Sequence, residues 1–494
     1  MIEVNTRIHD KYSLEFKTSF VTRRKKKDND FSAFMWFFLP NALDINKETY
    51  SKTQFYQDIK SNIRLITPKY LLRDIVAGDD SPLERLRDAF KALASTPTHT
   101  NTREYEYQIK MFSAITHSSA RDACDYLCNG RHLSDELNML IKGYVADYTS
   151  VLREYRTLHA IIAVPTVTDS TMSFYTYGDE YASNMMLHYC VDLLDYALRK
   201  NDDNLKPAIS LLQDAIRAEK NYRIQHGYLC NQENDPNGNR DVIFRHRVLK
   251  KYVDSDLFLN VPRKKDGVLV EQLYLGIAAG LAMMFATVVS FHFQQEYGNF
   301  TLPFFIVLVL SYMIKDRIKE LSRYYFAHRI GSKFFDNKAE ILIKEQKIGT
   351  FKEGMDFISR SNIPDDVRRL RYTKRLVEAE NRLKDEKVLL YRMNVHINRE
   401  KLVKMTPYET MGINDIVRFN IISLLKKMDN PTVEQKMMRP DGSVAQIMCD
   451  KLYYINIVLQ LSFDGAPSLS RFSVAVKCNG IDQIYKLDDE KPMT

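Results

Sequence analysis

Two apolar runs near the middle of the chain constrain the fold more than any other feature of this sequence. Residues 273–293 contain no Asp, Glu, Lys or Arg, and about 20 such residues can cross a hydrocarbon core of about 30 Å as a helix. Residues 300–314 form a second, shorter run, which covers about 22 Å at about 1.5 Å per residue. A helix in a soluble core usually keeps a polar stripe. The pattern therefore predicts a transmembrane helical hairpin within residues 271–314.

Basic residues precede and follow the predicted hairpin, whereas the turn at residues 294–299 contains no Lys or Arg. Because Lys and Arg accumulate on the cytoplasmic side of membrane proteins, this asymmetry predicts that both termini are cytoplasmic. We expect a two-span protein of the cell inner (plasma) membrane. The same side chains are candidates for contact with anionic lipid headgroups: Arg263, Lys264, Lys265, Lys315, Arg317, Lys319 and Arg323.

Small residues mark the first apolar run as a helix-packing surface. Gly276 and Gly280 are four residues apart, and Ala278, Ala282 and Ala286 form a second ridge beside them. Small side chains let helix backbones approach closely in lipid, where van der Waals contact drives association. The ridges are consistent with packing inside the hairpin and with a seam between copies of the chain. We expect at least a dimer, because one short partner helix covers few of these positions.

Most of the chain is expected to be aqueous. The mean hydropathy is −0.35, so membrane-embedded segments are a minority. The formal net charge of +8 is modest for 494 residues, and it favours membrane lipids over nucleic acid as partners. The six cysteines are dispersed through the chain, which favours reduced thiols. Residues 1–17 have no apolar segment, so we expect insertion through the hairpin rather than through a secretory signal.

Helical periodicity dominates the region before the hairpin. Residues 47–230 repeat apolar side chains at spacings of three and four, which predicts an all-α cytoplasmic domain. Ser81, Pro82 and Glu84 have the order of a helix start, because Ser caps, Pro suits the first turn and Glu completes a capping box. Residues 231–270 are expected to connect this domain to the hairpin. Residues 315–386 are expected to form basic juxtamembrane helices.

Both ends of the chain show the alternation of half-buried strands. Residues 1–46 predict a β-hairpin with the basic run 23–27 in its loop, and residues 387–494 predict an antiparallel β-rich domain. An isolated hairpin cannot cover its apolar face, so Phe34, Trp36 and Phe38 should pack on the C-terminal strands. The predicted fold class is an α+β integral membrane protein. It combines one two-helix transmembrane hairpin, an all-α soluble domain and a β-rich soluble domain built from both chain ends.

Candidate metal sites in the sequence are weak. Two sets of Cys and His residues have helical spacing: Cys124, Cys128 and His132 form one, and His226 and Cys230 form the other. Zinc normally needs four converging ligands, which neither set supplies. Residues 235–241 resemble a calcium loop, yet Arg240 stands where the turn needs Gly and His246 where a bidentate Glu belongs. Glu15 and Lys17 form too short a match to a nuclease pair. Helix packing and a connecting loop are the favoured interpretations.

The motifs of common enzymes are missing from the sequence. It contains no phosphate-binding loop, dinucleotide fingerprint, nucleophile elbow or zinc-protease helix. No catalytic residue, metal or cofactor is therefore predicted. The leading hypothesis is a membrane-anchored, non-enzymatic cytoplasmic sensor, scaffold or assembly platform, with a second protein as a further candidate partner. The alternative is a membrane-tethered enzyme or effector whose active site lies in a helical-domain cleft without a linear motif.

Overall fold

The computed structural model describes residues 2–78, 80–298, 301–325, 334–343, 345–371, 386–428, 431–463 and 466–487. The chain divides into two compact units. The first joins both chain ends to the central segment, over Met1–Ile63, Leu259–Pro407 and Gly412–Thr494. The second comprises Arg64–Phe258 and Tyr408–Met411. The first unit contains the antiparallel sheets and the second is mainly helical, so the structure is mixed helical and antiparallel sheet.

The first unit consists largely of β-strands. In chain order they are β1 (Ile2–Asp10), β2 (Ser13–Val21), β3 (Asp28–Leu39), β4 (Ile59–Leu65), β5 (Arg263–Lys265), β6 (Asn337–Ile343), β7 (Gln346–Ile358), β8 (Lys387–Asn398), β9 (Gly412–Asn420), β10 (Thr432–Met438), β11 (Val444–Asp450), β12 (Tyr453–Phe463), β13 (Ala466–Lys477) and β14 (Gly480–Leu487). Among the described residues they form a four-stranded sheet in the order β1-β2-β9-β4. An eight-stranded sheet has the order β14-β13-β12-β3-β8-β7-β6-β5, and β10 pairs with β11 in a separate ribbon.

Strand β3 lies in the interior of the eight-stranded sheet. It pairs antiparallel with β12 along one edge and with β8 along the other. Trp36 and Phe38 are buried in a cluster with apolar residues of β8 and β12, and Phe34 packs against this cluster partly buried. The prediction that these three aromatic residues pack on the C-terminal strands is confirmed.

The predicted N-terminal hairpin is wrong in its pairing. Strand β2 pairs with β1 and β9 and not with β3, so β2 and β3 belong to different sheets. The basic run 23–27 therefore connects two sheets. Within it, the Arg23 guanidinium lies 4.8 Å from the Phe463 ring centroid and Lys27 lies 3.4 Å from Glu400. Alternation identifies the buried face of a strand, but it carries no information about which strand lies beside it.

Two segments differ from the helical and connecting structure predicted for them. Strands β6 and β7 occupy part of the region expected to form juxtamembrane helices, and Phe351 and Met355 of β7 are buried in the sheet. The expected loop at residues 235–241 instead begins a helix. The Asp235 side chain caps it by accepting a hydrogen bond from the Gly238 N–H at 2.9 Å, and proline follows at the first position. Residues 326–333 and 372–385, which include other parts of the predicted basic helices, lie outside the described residues.

The helices are concentrated in the second unit. In chain order they are α1 (Lys52–Asp58), α2 (Pro82–Ser95), α3 (His99–Asn129), α4 (Ser134–Thr157), α5 (His159–Ile162), α6 (Asp169–Lys200), α7 (Lys206–Gln225), α8 (Pro236–Asp254), α9 (Val268–Tyr297), α10 (Leu302–Tyr325), α11 (Asp365–Arg371), α12 (Arg399–Met405) and α13 (Ile422–Leu425). Helices α2 to α8 belong to the second unit. Ser81 caps α2 by accepting from the Glu84 N–H at 3.3 Å, as the capping pattern predicts.

A buried ionic network ties three helices of the second unit together. The Arg156 guanidinium of α4 donates to Asp179 of α6 at 2.9 Å and to Glu219 of α7 at 2.6 Å. It also lies over the Tyr222 ring, 3.4 Å from the centroid. Both carboxylates are buried, and a buried charge is tolerated when it is paired and hydrogen-bonded. The network therefore links α4, α6 and α7 through a single guanidinium group.

Candidate functional site

Helix α9 is the one described helix that is long and apolar enough to cross a membrane. It has 30 residues, and 17% of its most apolar window is buried. Leu269, Leu273 and Phe291 each expose more than 60% of their surface. A core helix of a soluble protein buries such side chains. The exposed apolar surface of α9 is therefore the first candidate functional surface of the molecule.

Helix α10 does not meet the same criterion, so the described helices contain one candidate span and the predicted second span is not confirmed. Its apolar part, residues 302–314, covers about 20 Å at about 1.5 Å per residue, which is shorter than a hydrocarbon core of about 30 Å. Charged residues begin at Lys315. The two helices nevertheless pack against each other, and the buried Ser311 hydroxyl of α10 donates to the Ala286 carbonyl of α9 at 3.3 Å.

The small residues of α9 are divided between a covered ridge and an uncovered one. Ala278 and Ala282 are buried and Ala286 is half-buried, on the side of α9 that contacts α10. Gly276 and Gly280 are exposed, and apart from the adjacent residues and nearby backbone of α9 itself, no described atom lies within 4 Å of the position that a Cβ would occupy on either. The alanine ridge therefore packs inside the helix pair, while the glycine pair remains open for close backbone approach.

The seven basic residues predicted to contact lipid headgroups have different surroundings. Arg263 lies on the edge strand β5 rather than in a connecting segment, and its guanidinium is 3.0 Å from the buried Glu353 carboxylate. Lys265 is 2.8 Å from Glu271. Arg323 is 3.2 Å from Glu320, and Lys315 lies 3.5 Å from the Tyr312 ring centroid. In the described part of the chain, no ion-pair partner is found for Lys264, Arg317 or Lys319.

The Cys and His residues with helical spacing do not come together as ligand sets. Helix α3 ends at Asn129, before His132, and the His132 Nε2 contacts the Tyr126 carbonyl at 3.1 Å. Helix α7 ends before His226, whose ring stacks on Tyr222. The Cys230 thiol donates to the Tyr228 carbonyl at 3.6 Å. Among the described residues there is no group of three or more His, Cys, Asp or Glu side chains that could hold a metal ion.

A cavity in the helical unit is the second candidate site, and no linear motif in the sequence marks it. The α6–α8 cavity, as we call it, has a volume of about 530 Å³ and is lined by one face each of α6, α7 and α8 and by the α7–α8 connection. This size lies within the usual range of small-molecule pockets, about 300–1,000 Å³. The sequence shows apolar periodicity on each helix, but it does not show that the three faces leave a space between them.

The chain turn after α7 positions a buried cation beside this cavity. Gly227 adopts a left-handed conformation with φ of 71°, which ends the helix without the steric cost that a side chain would impose. The turn brings the Leu229 carbonyl within 2.6 Å of Arg223 Nη2. The other terminal nitrogen, Nη1, donates to the Ser183 hydroxyl at 3.2 Å, and the whole Arg223 residue is 1% exposed. Arg223 is thus buried and held by neutral oxygen atoms.

Two polar groups at the cavity wall have no hydrogen-bond partner among the described residues. They are Asn184 Nδ2 on α6 and His246 Nε2 on α8. Asn184 is 3% exposed. Burial, together with the charge of Arg223, lowers the pKa of His246 below its ordinary value, so this imidazole is neutral at neutral pH. A buried polar group without a partner is costly, which makes this wall a candidate place for a ligand that brings hydrogen-bonding groups.

A third cluster, in the first unit, contains a fully buried carboxyl group. Asp415 of β9 accepts a hydrogen bond from the Ser61 hydroxyl at 2.6 Å through Oδ1, and its Oδ2 atom has no partner among the described residues. The pKa of Asp415 is raised to about 7. Burial is the main cause, the Ser61 hydrogen bond opposes it, and the nearby Glu353 adds to it. Glu353 itself accepts from Tyr391 at 2.7 Å. The Asp415 carboxyl group is therefore able to titrate near neutral pH.

In comparisons with protein families, curated proteins and solved structures, nothing matches this chain. The functional conclusion therefore depends on the geometry described above. The candidates are an exposed apolar helix with an uncovered glycine pair, a cavity with unpaired polar groups, and a buried carboxyl group. The first supports insertion in a bilayer, the second supports ligand binding, and the third supports a dependence of stability on pH.

Proposed function

We propose that this protein is a membrane-anchored cytoplasmic sensor or assembly platform. The observation that carries the proposal is the exposed apolar surface of α9, which is long enough to cross a bilayer. Exposing this apolar surface to water is unfavourable, because apolar side chains lower the free energy of the protein when they are removed from water. In the hydrocarbon core of a bilayer, the same surface contacts apolar lipid chains instead of water. The remainder of the chain, with two compact units, supplies the aqueous part of the platform.

We further propose a two-span arrangement, in which α10 returns through the bilayer beside α9. Large apolar side chains of α10 such as Phe305, Ile306 and Leu310 are at least half exposed, which suits contact with lipid. Local thinning of the bilayer accommodates a span that is several ångströms short. In this arrangement the protein lies in the cell inner (plasma) membrane, and both of its termini are cytoplasmic. Lys264, Arg317 and Lys319 contact lipid headgroups there.

Single-cysteine labelling tests this topology in a cysteine-free variant expressed in intact cells. Gln295→Cys lies near the end of α9, Glu233→Cys lies before it, and Ser359→Cys lies after α10; all three positions are exposed. We expect an impermeant thiol reagent to label position 295 in intact cells. Positions 233 and 359 should react after permeabilisation. Ser332, the sequence-based choice for the cytoplasmic position, lies outside the described residues.

The labelling pattern separates three arrangements. Reaction at 295 and 359, but not at 233, in intact cells would show that α9 crosses the bilayer alone. Reaction at 233 and 359 but not at 295 would reverse the orientation. Extraction of the protein from membranes by alkaline carbonate would contradict membrane insertion itself, since an integral helix is retained under that treatment.

Self-association is part of the proposed function as an assembly platform. Gly276 and Gly280 lie on the uncovered side of α9 and leave open space where a Cβ atom would lie. Small residues four apart allow two helices to approach closely in lipid. We propose that this glycine pair contacts the same pair in a second copy of the chain, so that the protein is at least a dimer.

A membrane-tethered enzyme or effector is the second candidate function, and the α6–α8 cavity is the observation that favours it. Among the described residues, the cavity wall includes His188, His246 and Cys230, but no Asp or Glu. The Cys230 thiol donates to a backbone carbonyl. Nucleophilic catalysis usually needs a base within hydrogen-bond reach of the nucleophile. This arrangement therefore favours ligand binding by a sensor over catalysis.

A further inference from the structure

We propose that the α6–α8 cavity binds an anionic amphiphile, a molecule with an apolar chain that ends in a carboxylate or a phosphate. The inference goes beyond membrane anchoring and does not depend on it. The cavity lies within the helical unit, and its wall is formed by residues of α6, α7, α8 and the α7–α8 connection. A binding assay reports on this cavity, whereas the labelling experiment reports on α9, so either proposal can fail alone.

The apolar part of the wall defines the chain of the ligand. It comprises Met185, Leu187, Val191, Ile216, Leu229 and Val242. Val191 and Leu229 each expose nearly half of their surface. Covering such surface is favourable by roughly 25 cal/mol per Å². The volume of about 530 Å³ accommodates a chain of intermediate length rather than a small polar molecule.

The polar part of the wall defines the head of the ligand. Asn184, a residue of the cavity wall, is 3% exposed, and its buried Nδ2 amide group has no hydrogen-bond partner among the described residues; an acceptor on a ligand that reaches this amide supplies one. Lys220 of α7 lies at the exposed side of the cavity without an ion-pair partner among the described residues. Arg223 adds a buried positive charge whose hydrogen-bond partners are neutral oxygens. Donors and cations together select an anion.

Carboxylates near the cavity do not cancel this positive charge. Glu180, the buried acid whose carbonyl contacts Arg223, is engaged by Arg245 at 2.7 and 3.0 Å. Asp192 lies 3.6 Å from the exposed His188. The wall, as far as the described residues form it, has no Asp or Glu. A cationic ligand would therefore meet like charges, and a neutral apolar ligand would leave the Asn184 amide unpaired.

Titration calorimetry on the full-length protein in amphipol tests the proposal with defined probes. Decanoate and decyl phosphate present the two anionic heads, decanol is the neutral analogue, and acetate and inorganic phosphate present the heads alone. We expect one-to-one binding of at least one ten-carbon anion, roughly tenfold or more tighter than decanol. The tighter of the two anions identifies the head. Equal affinity for the anions and decanol, or binding of acetate or phosphate with the affinity of the decyl compounds, would overturn the proposal.

Variants assign the binding to this cavity. Asn184→Leu removes the amide with little change of volume, and Lys220→Ala removes the exposed charge; each should weaken anion binding roughly tenfold. Asn184→Leu should also raise or preserve the unfolding temperature, because it removes an unpaired buried group. Lys206→Ala, an exposed lysine on the same helix, is the matched control and should bind like wild type. Equal effects of Lys206→Ala and Lys220→Ala on binding, or no effect of Lys220→Ala, would contradict the assignment. Because Lys220 is exposed, its variant should fold, so the test stays valid even if Asn184→Leu does not fold.

Discussion

At the scale of single residues, burial and missing hydrogen-bond partners set a few side chains apart. Asp415 is one example, because its side chain is completely buried, accepts one hydrogen bond from Ser61 and has a pKa raised to about 7. The unfolded chain would lose this proton near the ordinary Asp pKa of 3.8. Between these two pH values the folded protein holds one more proton than the unfolded chain. The stability linked to Asp415 is therefore fully present below about pH 4 and falls as the pH rises to about 7.

Replacing Asp415 by Asn should remove this pH dependence. The amide keeps the shape of the side chain and never ionises, so we expect Asp415→Asn to be more stable than wild type above pH 7, by on the order of 2–4 kcal/mol. The advantage should shrink as the pH falls towards 4. Thermal unfolding of the first unit, measured at several pH values, reports this difference. The exposed Glu434→Gln of β10 is the control and should keep the wild-type profile; a parallel profile for Asp415→Asn would show that Asp415 does not titrate in this range.

At the scale of one element, α9 presents two chemically similar ridges with different structural surroundings. Ala282 is 1% exposed on the side that contacts α10, whereas Gly276 and Gly280 face open space. Sequence spacing alone assigns both ridges to helix packing. The position of Ser311, which donates to the Ala286 carbonyl, identifies the alanine ridge as the one within the helix pair. The glycine pair is therefore the place to test association between copies.

The double variant Gly276→Ile with Gly280→Ile should lower the mass of the particle in detergent. Two β-branched side chains would hold a neighbouring backbone away and remove close van der Waals contact, while the open space around both glycines spares the α9–α10 pair. Native mass spectrometry measures the result. Ala282→Ile is the matched variant on the covered ridge; it should lower thermal stability and keep the oligomer. An unchanged mass for the glycine variant, or a monomeric wild type, contradicts the proposed seam.

At the scale of the whole molecule, the first unit depends on pairing between distant parts of the chain. Strand β3 near the N-terminus separates β8 from β12 in the eight-stranded sheet, and Trp36 donates its indole N–H to Gln460 of β12 at 3.1 Å. The two chain ends therefore fold as one unit. The helical unit has its own buried core and the Arg156 network.

Deletion of residues 1–39 should unfold the first unit. The deletion removes an interior strand together with Trp36 and Phe38, and burial of one large aromatic side chain alone contributes about 3–5 kcal/mol, against a typical domain stability of about 5–15 kcal/mol. Hydrogen exchange should show loss of protection in β8 and β12, with protection retained in α3 and α6. Deletion of residues 1–10 removes β1, an edge strand, and should leave β8 and β12 protected. Unchanged protection of β8 and β12 after the longer deletion would contradict the shared core.

Much of the local structure follows directly from the sequence. Residues 273–293 are helical, and strands occur where apolar residues alternate near both chain ends, because periodicity along the chain records which side of a segment is buried. The pattern also places Phe34, Trp36 and Phe38 on the C-terminal strands, since their apolar faces need cover. It does not predict that β2 pairs with β1 and β9. Strand partners depend on contacts between residues far apart in sequence, and local alternation is the same for any partner.

The candidate sites depended more strongly on tertiary structure. The sequence alone determined a chain with an apolar, small-residue helix, basic flanking segments and no common catalytic motif. Only the folded molecule shows that Arg263 pairs with Glu353, that the glycine pair is uncovered and that Asn184 and His246 line one cavity. The physical reason is that burial and charge pairing arise from the convergence of distant segments. A residue's type states what it can bond to, but its three-dimensional neighbours decide whether that bond is already made.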